Sequence, residues 1–342
     1  MADLPSSPFK YEACRMRAGF SILVATYNGS RFLSDQLESL AHQTLPPETV
    51  LISDDGSRDD TLTIARDWAG RVSFPVEILT GNPRQGVVGN FDFLLHRAQS
   101  EFLMLCDQDD VWLPAKLETV ATFLTENPAA LCVVNDLYLC DGELQIAGTK
   151  YERHRQAGGG EGLVTGCAMT LRRPFLSVVL PIPDTTRNHD NWIAALAQGL
   201  GVYRFLPEPL QMYRRHGGNL SHAASSELAG IGRLRTLRRR YRRIGQDVSP
   251  AWQEQRDFLS QVLLRVEARS EELAALGLSK QAADFSNRLR RQIAVLSERI
   301  RIARLPRRRR GYAIAKALGD GLYAGRANML TALNDLVRRR AR

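Results

Sequence analysis

Asp107-Gln108-Asp109-Asp110 places three carboxylates within four residues. Hard oxygen ligands at that density suit Mg²⁺ or Mn²⁺, and a pyrophosphate-bearing substrate would complete the coordination. A plainer use is helix capping by Asp109 or Asp110 just ahead of a helix beginning near Pro114. One cap requires only one aspartate. Asp54-Asp55-Gly56-Ser57 is a second acidic loop. Its carboxylates could accept from a base N–H or a ribose hydroxyl, or the segment is a tight turn with Gly56 at positive φ and Asp59 as the next cap.

Asn188-His189-Asp190-Asn191-Trp192 opens an apolar helical segment. Asp190 there is either a general base facing a cleft or a structural N-cap. His216 lies in the basic, glycine-rich stretch Tyr213-Arg214-Arg215-His216-Gly217-Gly218-Asn219. Such a stretch suits phosphate oxygens, or a metal position left vacant by the aspartates. The chain has no GxSxG elbow, GxxxxGK[ST] loop, GxGxxG fingerprint or HExxH helix, which disfavours α/β-hydrolase, P-loop, Rossmann dehydrogenase and zincin chemistry.

These residues need a scaffold, and the apolar pattern supplies one. Residues 20–26 (FSILVAT), 50–52, 76–79 and 102–106 read as buried strands. Helical spacing follows the first three: residues 32–40, 59–68 and 91–98 read as helices. Alternation of this kind predicts an α/β fold with a doubly wound, mostly parallel sheet. Ligands in such sheets bind outside the carboxyl ends of the strands, where both acidic loops fall.

Past residue 225 the pattern changes to long helices, with Phe285, Leu289, Ile293, Leu296 and Ile300 as the clearest stripe. Residues 1–225 carry 19 Lys/Arg against 26 Asp/Glu, a net −7, while residues 226–342 carry 27 against 11, a net +16. Arginine runs lie at 238–243, 307–310 and 338–342. The reading divides the chain into a flexible segment 1–18, an α/β domain 19–225 and a basic helical extension 226–342. Such an extension suits an anionic membrane surface, or its arginines are solvated or paired with the acidic domain. Five cysteines without CxxC spacing suit a reducing cytosol. No run reaches the roughly 18 apolar residues of a membrane span, and no signal-peptide core precedes the domain. A cytoplasmic protein, peripheral at most on the inner face of the cell membrane, is expected.

Taken in order, Ala25-Thr26-Tyr27-Asn28-Gly29, Ser53-Asp54-Asp55-Gly56-Ser57, Asp107-Gln108-Asp109-Asp110-Val111-Trp112, His189-Asp190 and Tyr213-Arg214-Arg215-His216-Gly217 resemble the family 2 glycosyltransferases, most closely bacterial rhamnosyltransferase-like members. The resemblance covers residues 20–222 and implies a GT-A fold. It further implies nucleotide-sugar contacts at Thr26, Tyr27, Asn28, Asp55, Arg84 and Asp107, and a divalent metal at Asp107, Asp109 and His216. Asp190 would be the catalytic base of an inverting transfer. The donor it suggests is deoxythymidine-diphosphate rhamnose, with uridine-diphosphate hexoses as the alternative, and the acceptor is a surface glycan or lipid-linked saccharide. The rival from another class is a basic nucleic-acid- or membrane-binding protein without transferase activity. The tail's few aromatics and the lack of a nucleic-acid motif speak against nucleic acid.

Overall fold

The computed structural model describes residues 19–81, 84–160, 162–217 and 249–321. β1 (Phe20–Thr26) is buried almost throughout, as a largely apolar run requires of a strand covered on both faces. It pairs in parallel with β2 (Thr49–Asp54) on one side and β4 (Phe102–Asp107) on the other, and β2 pairs in parallel with β3 (Val76–Leu79). The intervening helices are α1 (Leu33–Ala41), α2 (Thr61–Ala69) and α3 (Gly86–Arg97). The expected alternation holds, except that α3 starts at Gly86 rather than Phe91. Its first turn is fixed from outside, by the Asp55 carboxylate accepting from Gln85 and Gly86 N–H.

Beyond β4 the sheet is mixed. In chain order come β5 (Val111–Trp112), α4 (Lys116–Glu126), β6 (Cys132–Cys140), β7 (Ile146–Thr149), α5 (Lys150–Gln156), a 3₁₀ turn (Gly166–Ala168), β8 (Met169–Arg172), α6 (Leu176–Val179), α7 (His189–Gly199) and β9 (Tyr203–Arg214). The strand order is β3-β2-β1-β4-β8-β6-β9-β5, with β7 beside β6. β8 runs antiparallel to both β4 and β6, β5 antiparallel to β9, and β6 parallel to β9. The β6–β9 register slips between Asn135↔Leu206 and Asp136↔Pro209, at a strand segment whose prolines cannot donate to a ladder.

Alternation along the strands feeds two cores. Ile22, Val24, Val50 and Ile52 face α1, α2 and α4 through Leu33, Leu37, Trp68 and Leu117. Leu23, Leu51, Leu103 and Leu105 face α3 and α7 through Phe91, Leu94, Trp192 and Leu196.

The second core does not stop at the sheet domain. α8 (Ser249–Ala268), α9 (Ser270–Ala275) and α10 (Ser279–Arg304) deliver Val262, Val266, Leu273, Phe285 and Leu289 into it. Of the predicted stripe, Phe285 and Leu289 thus meet the sheet domain, Leu296 and Ile300 pack on Trp252 of α8, and Ile293 is half-buried. α11 (Arg307–Gly319) closes the described chain on a small cluster with Ile302. Segment 1–18, the boundary at 225 and the arginine runs 238–243 and 338–342 lie outside the described residues. Among the described residues no helix is long and apolar enough to cross a membrane. Cys106, Cys132, Cys140 and Cys167 are buried free thiols.

Candidate active site

Register determines which side chains meet. Parallel pairing sets Thr26 beside Asp54 and Ala25 beside Asp107, so both acidic loops leave the same sheet edge next to each other. β8 runs the other way beside β4, with Met104 opposite Thr170, so the turn preceding β8 lies against the end of β4. Ligand atoms of Asp107, Asp110 and Cys167 accordingly lie within 4.8 Å of one another. β5 and β9 pair with Val111 opposite Met212, which carries Arg214, Arg215 and His216 to the same edge.

The three aspartates have different neighbours. Asp110, fully buried, accepts from Gln211 Nε2 at 2.8 Å and from the Arg214 N–H at 3.2 Å. Gln211 Oε1 in turn accepts from the buried Lys116 ammonium, which lies 3.7 Å over the Trp112 ring. Asp109 Oδ2 lies 2.9 Å from His216 Nε2, and the His216 ring packs on Phe32 with centroids 4.6 Å apart. Arg214 ties the elements together through Asp109 O, Gly142 O and Asp35 Oδ2, at 3.1, 2.7 and 2.6 Å.

Burial and mutual repulsion act on these carboxyls. Desolvation, then the charges of Asp109 and Asp190, push Asp107 up to about 7. Asp109 is also raised by burial, against the opposing hydrogen bond and charge of His216, and Asp110 is raised further still. Burial lowers Lys116 to about 8 and holds the Cys167 thiol well above its ordinary value. Carboxylates crowded against their own charge are what a bound cation relieves. With Cys167 a protonated thiol and Asp110 occupied by Gln211 and Arg214, the hard donors fitted to such a cation are Asp107 and Asp109.

Neither alternative capping role for Asp109 or Asp110 holds, since α4 begins at Lys116 with Ala115 as its cap residue. Nor does Asp190 cap α7. Asn188 occupies the cap position and Asp190 lies in the first turn, its Oδ1 2.7 Å from Asn191 N. Gly166 is the spacer between this turn and the aspartates: a Cβ there would fall 3.5 Å from Asp190 Cβ and 2.6 Å from His189 Nε2. His189 is buried on Phe91, and desolvation lowers its imidazole to about 4.

The neighbouring loops are sewn to each other. The Thr26 hydroxyl donates to Asp54 Oδ1 at 2.9 Å, and Asp54 Oδ2 accepts from Gly56 and Ser57 N–H. Tyr27 exchanges two backbone bonds with the Gln108 amide, at 2.9 and 3.1 Å. Asn28, at φ 46°, donates from its backbone to Ser57 Oγ and accepts from Arg58 N–H. A Cβ on Gly29 would lie 2.2 Å from Gln108 Oε1, so that position must be glycine while the lacing holds. Arg84 lies 4.0 Å over the Tyr27 ring and 3.9 Å from Asp55. The structure therefore joins Tyr27, Asn28, Asp55 and Arg84 in one loop cluster, and Asp107, Asp109, Asp190 and His216 in a second beside it. Thr26 turns inward. Lys116, Cys167 and Gln211 had no local signal; pairings 44 to 101 residues apart bring them here.

The family model described as glycosyl transferase family 2 matches residues 21–179. An uncharacterised glycosyltransferase of Nostoc sp. is 30% identical over 60% of this chain and 67% of its own length. An uncharacterised protein of Mycobacterium tuberculosis is 27% identical over 60% of this chain, which spans 62% of its length. The dTDP-rhamnosyl transferase RfbG of Shigella flexneri is 25% identical over 65% of this chain and 83% of its own. Among solved structures, S. aureus TarS 1–349 in complex with UDP-GlcNAc superposes with a TM-score of 0.51 at 16% identity, covering 93% of this chain and 88% of that one.

Proposed function

This chain belongs to glycosyltransferase family 2 and has the GT-A fold, and we propose that it moves a sugar from a nucleoside-diphosphate donor to a glycan hydroxyl with inversion. The observation that carries this reading is the convergence of Asp107, Asp109 and Asp190 across Gly166, beside the loop cluster of Tyr27, Asn28, Asp55 and Arg84.

In the proposed reaction, Asp190 takes the proton of the acceptor hydroxyl. That oxygen forms a bond to the anomeric carbon on one face while the bond to the diphosphate oxygen breaks on the other. The electron pair leaves with the nucleoside diphosphate, and no covalent enzyme intermediate forms. His189, neutral until well below pH 6, neither supplies nor removes a proton at working pH. Tyr27, Asp55 and Arg84 hold the nucleotide, and the packed Arg84 guanidinium also faces its phosphates. Asp107 and Asp109 would hold Mg²⁺ or Mn²⁺, with His216 orienting Asp109. Such an ion, when bound, supplies neutralisation of the charge gathering on the leaving diphosphate. The RfbG relative supports a deoxythymidine-diphosphate rhamnose donor; the UDP-GlcNAc complex of TarS is the reason to keep uridine-diphosphate sugars in the test.

Thermal-shift titration with dTDP- and UDP-sugars, with and without Mn²⁺, tests the reading, because a ligand that binds only the native state raises its melting temperature. A metal-dependent shift selective for one base is expected, lost in Asp109→Ala. Absence of a shift with every nucleotide would refute it.

A further inference from the structure

α7 and α8 border a cleft of about 840 Å³, within the size range of small-molecule sites. α7 turns Asn191 and Gln198 toward it, with Asn188 at its mouth, and α8 turns Gln255, Phe258 and Gln261, one helical face at three-residue spacing. Neighbouring helices ordinarily interdigitate apolar ridges. α8 does so on its other side, where Val262 and Val266 enter the main core. On the cleft side five amide side chains border open space instead, Gln261 with its Oε1 accepting from the Thr185 hydroxyl at 3.1 Å.

An amide offers two donors and an acceptor oxygen from one planar group, which matches adjacent sugar hydroxyls that each donate and accept. Phe258 supplies an apolar ring among them, steadied by an edge contact with Trp192 at 6.4 Å between centroids. The charges of the lining are already matched: Glu254 pairs with Arg187 at 2.9 Å and Asp257 with Arg256 at 2.7 Å. A neutral occupant is favoured over a phosphorylated one. The cleft lies close to Asp190 along the chain: Asn191, the next residue, and Val164, two residues before Gly166, are part of its wall.

We propose that this cleft is the acceptor subsite and binds a neutral saccharide, so that the C-terminal helices contribute directly to acceptor choice. The proposal rests on Asp190 being the base. It gives Asn191, Phe258 and Gln261 a role in acceptor affinity, separate from nucleotide binding.

The test uses the full chain and four probes: the p-nitrophenyl glycosides of α-L-rhamnose, β-D-glucose, β-D-galactose and N-acetyl-β-D-glucosamine. Saturation-transfer NMR should detect at least one of them on the wild type, with signal on its ring protons. Asn191→Ala and Gln261→Ala should each weaken that probe about tenfold, the loss of one or two hydrogen bonds to a bound ligand, while nucleoside-diphosphate affinity is unchanged. Gln198→Ala, at an exposed position, replaces either variant if its melting temperature shows a damaged fold. Asp190→Asn should bind the glycoside as the wild type does and fail to glycosylate it. Unchanged glycoside binding in the cleft variants, or none to the wild type, overturns the subsite. Transfer surviving in Asp190→Asn overturns the assignment of the base, and the binding data then judge the cleft separately.

Discussion

Neither ring nitrogen of the buried His189 has a hydrogen-bond partner among the described residues. Its pKa near 4 lies below the 6.5 of an exposed imidazole, so between those values the unfolded chain binds a proton that the native protein does not. The stability associated with this residue is therefore complete above pH 6.5 and is lost as pH falls toward 4, by on the order of 2 kcal/mol at pH 4.5. His189→Gln should flatten the denaturation free energy against pH by that amount across this window; parallel curves for the two proteins would show that the ring titrates normally. The residue types alone left Asp190 as base or cap, and the family resemblance named it the base without a role for His189. Burial against Phe91 distinguishes them, leaving the histidine neutral and the aspartate at the edge. As carboxylates in one short run Asp107, Asp109 and Asp110 are alike, and only the family resemblance set Asp110 apart from the metal pair; in the structure β9 takes Asp110 into its own hydrogen bonds.

At the level of elements, the parallel half of the sheet was legible because β1, β2 and β4 are largely apolar runs alternating with helical stripes. The mixed half was not. β8 and β9 are fixed by partners far away in the chain, and β5 is only two residues long. The packing of α10 on α7 was equally hidden, since a stripe says that a face is covered without saying by what. Gly199, the last residue of α7, makes that contact possible: a Cβ there would fall 2.0 Å from Phe285 Cζ. Gly199→Ala should destabilise the protein by about 1–3 kcal/mol by overpacking, and the Phe285→Leu background should recover part of that loss. Denaturant titration of the four proteins reads the coupling; additive effects would mean that ring and glycine do not press on each other.

Across the whole molecule, the charge asymmetry pointed to an extension with a partner of its own. Its described helices α8 to α10 complete the core beneath α7. Among the described residues, arginines of the extension join it to the sheet domain through peptide oxygens. Arg265 donates to the carbonyls of Val178, Val179 and Pro181, Arg269 to Leu180 and Arg288 to Gly199. The buried Arg310 closes the end of α10 through Ala303 and Leu305. These groups stand at helix ends, where carbonyls lack partners and a cation is favoured. Because a peptide oxygen carries no net charge, dissolved ions shield these ties far less than they shield the repulsion among the extension's own +16. Moving from about 0.05 to 0.5 M NaCl shortens the screening length several-fold, and the melting temperature of the full chain should rise by a few degrees; a fall would assign the joint to ion pairs. An arginine-rich surface is usually taken as a sign of salt-sensitive binding, and here the same residues predict a salt-tolerant fold.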